Sequence, residues 1–300
     1  MLLCLLLLLL GPGLANASLD RPDTLVIGKI SDNPRVDVGH LQPLLDYVVP
    51  RMDKEVIVRG EVLLARDVVQ MRNYLRRGRI DWVTETAAMA AMLGADAGAK
   101  PIVRAMRTDE GAYRSVVFVR RDSGIESLAQ LRGKVLGLQS RWSTSAFYLP
   151  LLMLKAEGLP VIEIATPDEL PPADQVGFTL ARTESNIANW VEKGLVDAGA
   201  FSNGNWDNPR IMPEAFRAHM RLLAESESVP RAVEMVRADL DSRLRQSLTA
   251  VLLGAGDDAA ADQALRAYFG TTRFVSIDAD SSAALMRLGA KVLELRRDVE

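Results

Sequence analysis

Three consecutive hydroxyl residues, Ser143, Thr144 and Ser145, stand where a strand gives way to a helix. They lie within Gly137-Leu-Gln-Ser-Arg-Trp-Ser-Thr-Ser-Ala-Phe-Tyr-Leu-Pro150. This stretch reads as a strand over Lys134–Leu138, a polar turn, and a helix from about Ser145 to Glu157 that Gly158 ends. The first turn of a helix carries backbone N–H groups with no internal acceptor, and the helix dipole adds partial positive charge there. Hydroxyls in that turn add short, rotatable donors. Bare amides, hydroxyls and the neighbouring Arg141 together suit a tetrahedral oxyanion such as phosphate, phosphonate or sulfate. An ordinary N-cap uses the same residue types, so the triplet alone leaves both readings open. Arg141 could grip an anion with two donors, or stand as a solvated loop charge. Trp142 could wall a cleft, or pack as a core or surface aromatic.

The elements around this turn alternate. Thr24–Ile30 reads as a buried strand that ends in the polar loop Ser31-Asp32-Asn33-Pro34, and a helix follows from about Leu41 to Val49. Val56–Arg59 reads as the second strand, Asp67–Arg77 as an amphipathic helix closed by Gly78, and Asp81–Val83 as a short strand. Thr84-Glu85-Thr86 then opens an Ala/Met-rich helix to about Leu93, and Ile102–Met106 is another strand. Strands alternating with helices predict a mostly parallel sheet with helices on its faces. Tyr113–Arg120 begins a second βα set: a helix over Ile125–Leu131, the hydroxyl turn, a strand at Val161–Ala165, a surface loop over Thr166–Val176, a helix to Lys193 and a strand to Phe201. Pro150 should bend the helix it sits in. Ser202–Asp207 reads as the return crossing. Strands at Arg221–Ala224 and Arg231–Val236 follow it, then helices at Ser242–Leu253, Ala259–Tyr268 and Ser281–Arg297. Two lobes joined by two crossings leave a cleft lined by strand ends and helix starts, where ligands of open α/β sheets bind.

Other cleft candidates each have a structural alternative. Glu85 could accept from a protonated oxyanion or an amine, or could serve the dipole of its helix. Asp32 and Asn33 could face the cleft, or only make the turn. Asn203, Asn205 and Trp206 could touch ligand, or act as hinge residues.

Composition narrows the classes. Lys and Arg total 36 against 39 Asp and Glu, a net charge of −3, so there is no basic face for nucleic acid. Leu2–Leu10, broken by Gly11-Pro12-Gly13 and followed by Ala15-Asn16-Ala17, reads as a leader over residues 1–17 with a small–x–small cleavage site. The run is far shorter than the ~20 residues of a membrane span. Cleavage after Ala17 would remove Cys4, the only cysteine, which suits a bacterial periplasm and a core that needs no disulfides. No later segment is long and apolar enough to cross a membrane. Enzyme chemistry finds no foothold. His40 and His219 lie far apart, no serine sits in a G-x-S-x-G elbow, and there is no Walker loop or metal-ligand spacing. No metal or cofactor is expected.

Several segments, in order, resemble the phosphate/phosphonate-type substrate-binding proteins of bacterial ABC importers. They are Tyr113-Arg-Ser-Val-Val-Phe-Val-Arg-Arg-Asp-Ser-Gly-Ile125 with Leu131-Arg-Gly-Lys134; Ser143-Thr-Ser-Ala-Phe-Tyr-Leu-Pro150; Gly194-Leu-Val-Asp-Ala-Gly-Ala200; and Ser228-Val-Pro-Arg-Ala-Val with Val236-Arg-Ala-Asp-Leu240. The resemblance runs from about residue 24 to 290. It implies a type II periplasmic-binding-protein fold: α/β, two lobes, each a mixed, mostly parallel sheet flanked by helices, with two interlobe crossings. Lobe 1 would comprise residues 18–107 and 202–300, and lobe 2 residues 108–201. The resemblance further implies a periplasmic, monomeric protein whose Ser143, Thr144 and Ser145 hold the ligand's oxyanion head. The membrane partner would be an importer's permease, or alternatively a sensor kinase. The chain departs from the family pattern where phosphonate binders tend to carry Tyr, His and an acidic residue. It shows Val68, Glu184, and Gly204 or Asn205 there, and Ala146 where Gly is usual. The anion hook is retained and the pocket for the ligand's tail is altered, so aminoethylphosphonate is not the expected ligand.

Overall fold

The chain forms two six-stranded sheets, one on each side of the first crossing. The structure is a computed structural model that describes residues 23–53, 56–107 and 111–299. The predicted leader over residues 1–17 lies outside the described residues, as does the polar run Thr108-Asp109-Glu110.

The first lobe begins with β1 (Thr24–Ile30), α1 (Pro34–Val48), β2 (Arg59–Ala65), α2 (Val68–Arg76), β3 (Trp82–Thr86), α3 (Ala87–Ala97) and β4 (Lys100–Met106). β1 lies between β2 and β3 and runs parallel to both. It is covered on both faces, which explains why it carries no polar alternation. β5 (Ala112–Tyr113) carries the chain across. The second lobe follows with β6 (Ser115–Arg120), β7 (Val135–Leu138), α4 (Leu149–Ala156), β8 (Val161–Glu163), β9 (Val176–Leu180), α5 (Glu184–Glu192) and β10 (Ala198–Ser202). α6 (Asn203–Trp206), α7 (Glu214–His219) and β11 (Met220–Glu225) complete it. β12 (Val229–Pro230) returns to the first lobe, which ends with β13 (Ala232–Val236), α8 (Ser242–Gly254), α9 (Asp262–Ala267), β14 (Arg273–Ser276) and α10 (Ala279–Val299). The strand orders are β14-β4-β13-β3-β1-β2 and β11-β6-β10-β7-β9-β8. The two crossings, β5 and β12, pair antiparallel as a separate ribbon.

Each lobe is packed around its sheet by large buried side chains, among them Trp82 and Tyr268 in the first and Phe118, Phe147, Phe178 and Phe201 in the second. Phe118 and Phe201 stack with centroids 4.6 Å apart, while Phe147 meets Phe178 edge-on at 5.7 Å. The chain makes room for this at Gly199, where a Cβ would stand 2.7 Å from Phe118 Cζ and 2.6 Å from Ile187 Cγ2.

Several expectations need correction. The return crossing lies at Val229–Pro230, not at Ser202–Asp207. Ser202 Oγ accepts from the Asn205 N–H, so the polar Asn-Gly-Asn run is a capped helical turn rather than a linker. The strand predicted at Arg221–Ala224 forms, but pairs antiparallel with β6 and so belongs to the second lobe. Residues 202–225 therefore leave the first-lobe span of 202–300. The second strand is Arg59–Ala65 rather than Val56–Arg59; as an edge strand it alternates exposed and covered residues and lacks a long apolar run. Of the helix predicted at Ile125–Leu131, only a 3₁₀ turn at Leu128–Leu131 forms. β9 and β14 have no counterpart in the sequence reading.

Candidate functional site

The hydroxyl turn owes its shape to a proline six residues after Thr144. Pro150 has no N–H, so the Ala146 carbonyl four residues back has no helical donor. The Gln139 N–H, just past β7, takes that carbonyl at 3.0 Å. The chain opens into a wide π-type turn over Thr144–Tyr148, with the Tyr148 N–H reaching the Ser143 carbonyl at 3.2 Å. Ser143 Oγ caps the Ala146 N–H at 3.0 Å. The helix predicted from Ser145 is thus a π turn followed by α4, and Thr144 and Ser145 are buried.

The turn is buried against the other lobe. Thr144 Oγ1 accepts from the Ala88 N–H at 2.9 Å, in the first turn of α3. Thr86 Oγ1 donates to the Trp142 carbonyl at 3.2 Å, and Trp142 Nε1 donates to Asp32 Oδ1 at 3.2 Å. Ser115 Oγ donates to the Ser145 carbonyl at 2.6 Å. Tyr113, on the crossing ribbon, is buried; burial pushes its phenol up, and the hydroxyls of Thr144 and Ser145 with the nearby Arg231 and Arg107 oppose the shift.

Two arginines approach the same place. The Arg231 guanidinium lies over the Tyr113 ring, 4.7 Å from its centroid. Its Nη2 stands 3.1 Å from where a Cβ on Gly204 would be, so a glycine leaves it room. Arg107, which follows β4, lies 5.4 Å from the Phe269 centroid, and Lys29 Nζ lies 5.9 Å from the same ring. The Nε of Arg107 is enclosed and meets no acceptor. Desolvation, then the like charge of Arg231, push the Arg107 guanidinium down to about 10, and burial lowers Arg231 also. Among the described residues neither has a carboxylate at ion-pair distance. Both stay charged at neutral pH.

The nearby acids are occupied. Glu85 Oε1 accepts from the Ile30 N–H at 2.7 Å and is 3% exposed; burial raises its pKa, while Lys29 and the amides of Ile30 and Thr86 pull it back. Glu234, on β13, is fully buried and accepts from Trp82 Nε1 at 2.6 Å, Thr84 Oγ1 at 3.0 Å and the Tyr268 hydroxyl at 2.9 Å. Desolvation pushes Glu234 up to about 7 against those bonds.

The predicted residues therefore divide. Thr144, Ser145, Ser143 and Trp142 meet at the lobe junction, with Glu85 behind it at the end of β1. Arg141 is paired with Glu163 and lies over the Phe147 ring, within the second lobe. Asn33 is exposed, and its N–H is held by Ser31 Oγ. Asn203 Oδ1 accepts from the Arg114 N–H at 3.1 Å and braces the joint between β5 and β6. Sequence reasoning assigned no role to Arg107, Arg231 or Tyr113. The available signal was position, since each sits within a few residues of a crossing.

A family model for the phosphonate periplasmic substrate-binding protein of ABC transporters matches residues 30–282. The chain belongs to that family. XAC2383 from Xanthomonas citri, in a structure bound to chloride ion, is 43% identical, with 92% of this chain and 99% of that one covered at a TM-score of 0.89. The same protein bound to ATP matches at 42% identity over 93% and 100% of the two chains, with a TM-score of 0.88. PhnD1 from Prochlorococcus marinus, in complex with methylphosphonate, shares the fold at 17% identity, covering 91% of this chain and 99% of that one, with a TM-score of 0.68. The family's type II periplasmic-binding-protein fold is the two-lobe α/β arrangement described above. Its members are transport components that work in the periplasm, not enzymes.

Proposed function

We propose that this protein captures a phosphate- or phosphonate-like oxyanion in the crevice between its lobes and delivers it to the permease of an ABC importer. The observation that carries the reading is the Thr144 hydroxyl seated on the Ala88 amide, at the start of α3. That sets the Ser-Thr-Ser turn of one lobe against the helix N-terminus of the other, where hydroxyls meet first-turn amides of the kind that bind oxyanions. Arg107 and Arg231 add positive charge beside it, and the neighbouring carboxylates already accept hydrogen bonds. The ATP held by XAC2383 and the methylphosphonate held by PhnD1 both present a tetrahedral oxyanion. Contacts drawn from both lobes favour the closed state, which a permease can then recognise. The protein would be exported through the leader over residues 1–17 and act as a monomer.

A ligand that binds only the folded protein raises its stability by mass action, by about 2.7 kcal/mol at a hundred times Kd. Thermal unfolding with phosphate, methylphosphonate, ATP and sulfate should show a rise in Tm for at least one phosphorus oxyanion. A panel without any shift would overturn the reading. Ser143→Ala should weaken that binding by about 1–3 kcal/mol through the loss of a polar partner at the turn. Unchanged affinity would remove Ser143 from the hook.

A further inference from the structure

The last helix, α10, touches both lobes and grips them differently. On the first lobe it is fixed. Asp278, just before the helix, pairs with Arg104 of β4 at 3.2 Å, and Arg296, near its far end, pairs with Asp96 of α3 at 3.1 Å. Between those anchors a Cβ on Gly289 would stand 3.1 Å from the Ala91 Cβ, so α10 and α3 meet closely. On the second lobe the fit is loose. A cavity of about 440 Å³ lies between α10, α4 and the return crossing, with Leu149, Leu152, Met153, Val229 and Leu288 in its lining. Two ion pairs join the lobes on its rim. Lys155 of α4 meets Glu294 at 3.0 Å, and Glu227, between β11 and the return crossing, meets Lys291 at 3.9 Å. Close-packed cores resist sliding. A seam with a void and water-accessible charges can part, because each exposed pair contributes little.

We infer that α10 is a clasp between the lobes: it moves with the first, holds the second closed through Glu294–Lys155 and Lys291–Glu227, and lets those pairs part when the crevice opens. This rests on the lobe closure invoked above, and not on which anion binds. The seam and the contacts of the hydroxyl turn occur in one arrangement, with Thr144 Oγ1 on the Ala88 N–H and Trp142 Nε1 on Asp32. Both sets therefore favour the closed state, and removing either shifts the balance toward the open one. The clasp sets how readily the lobes part without touching the ligand.

The Ala88 amide makes the test, because its acceptor lies on the other lobe. It sits in the first turn of α3, where the helix itself offers no acceptor. Its hydrogen exchange in the ligand-free full chain therefore reads lobe opening, while Val117, in the β6 ladder, reads unfolding of the second lobe. Lys155→Glu sets two carboxylates against each other at the seam. Ala88 should exchange about three- to tenfold faster in that variant, with Val117 unchanged and the melting temperature reporting a folded protein. The swapped pair Lys155→Glu with Glu294→Lys should return Ala88 to within about twofold of the wild type. An Ala88 rate that Lys155→Glu leaves unchanged would overturn the clasp and leave closure standing. So would a faster rate that the swap fails to restore. A slower rate would overturn it as well, since the seam would then belong to the open form. Wild-type Ala88 exchanging only as slowly as Val117 would overturn both the clasp and the closure.

Discussion

Glu234→Leu should lower folding stability by about 3–5 kcal/mol, because the substitution strands several buried donors at once. The indole N–H of Trp82, the hydroxyl of Thr84 and the hydroxyl of Tyr268 all end on this carboxylate, inside the first-lobe core. No water reaches them as replacement, since Glu234 and Trp82 are fully buried. Glu234→Gln keeps one acceptor oxygen and should cost less, about 1–2 kcal/mol. The pH dependence has a definite sign. Burial raises the folded carboxyl from its ordinary 4.5 to about 7. Between those values the folded protein holds a proton that the unfolded chain has released, so stability falls as pH rises through that window. The contribution is of order 3 kcal/mol, present in full below about pH 4.5 and lost above about pH 7. Urea unfolding at several pH values, on the wild type and on Glu234→Gln, reads both effects. A leucine variant as stable as the wild type, or a glutamine variant with an undiminished slope, would show that the carboxylate does not organise this core.

The hydroxyl turn is legible in the sequence because its cause is local. A strand, three hydroxyls and a proline within a dozen residues dictate a capped helix start, and the α/β alternation around it places such a start at a sheet's edge. What the sequence hides is pairing between distant strands. β11 has an unremarkable strand pattern, and only its ladder with β6 assigns it to the second lobe. β14 is short and half covered, an edge strand without a strong run. The same reasoning explains why Arg107 and Arg231 escape notice. Either one alone reads as a solvated surface charge, and their meaning comes from the crossings that bring residues 107, 113 and 231 near one another. Arg141 is the converse case. Its sequence position beside the hydroxyls suggests a ligand contact, but the turn directs it to Glu163.

Thr144→Val should loosen the closed arrangement and weaken oxyanion binding together. Valine has the shape of threonine without the hydroxyl, so packing is kept and the Ala88 N–H loses its acceptor. That amide is enclosed between the lobes, and an unmet buried donor costs about 1–3 kcal/mol. The penalty falls only on the closed state, because an open crevice lets water reach the amide. A shift of that size changes the ratio of closed to open molecules by a factor of about 5–150. Apparent affinity falls by up to the same factor, since a ligand that needs both lobes must first restore closure. Removing the hydroxyl also takes one donor from the hook itself, so both consequences have the same sign. Small-angle scattering without ligand should show a larger radius of gyration for the variant, and titration with methylphosphonate should show weaker binding. A variant that scatters like the wild type and binds as tightly would mean that Thr144 caps α3 and does nothing more. Tighter binding would mean that its hydroxyl competes with the anion for the Ala88 amide.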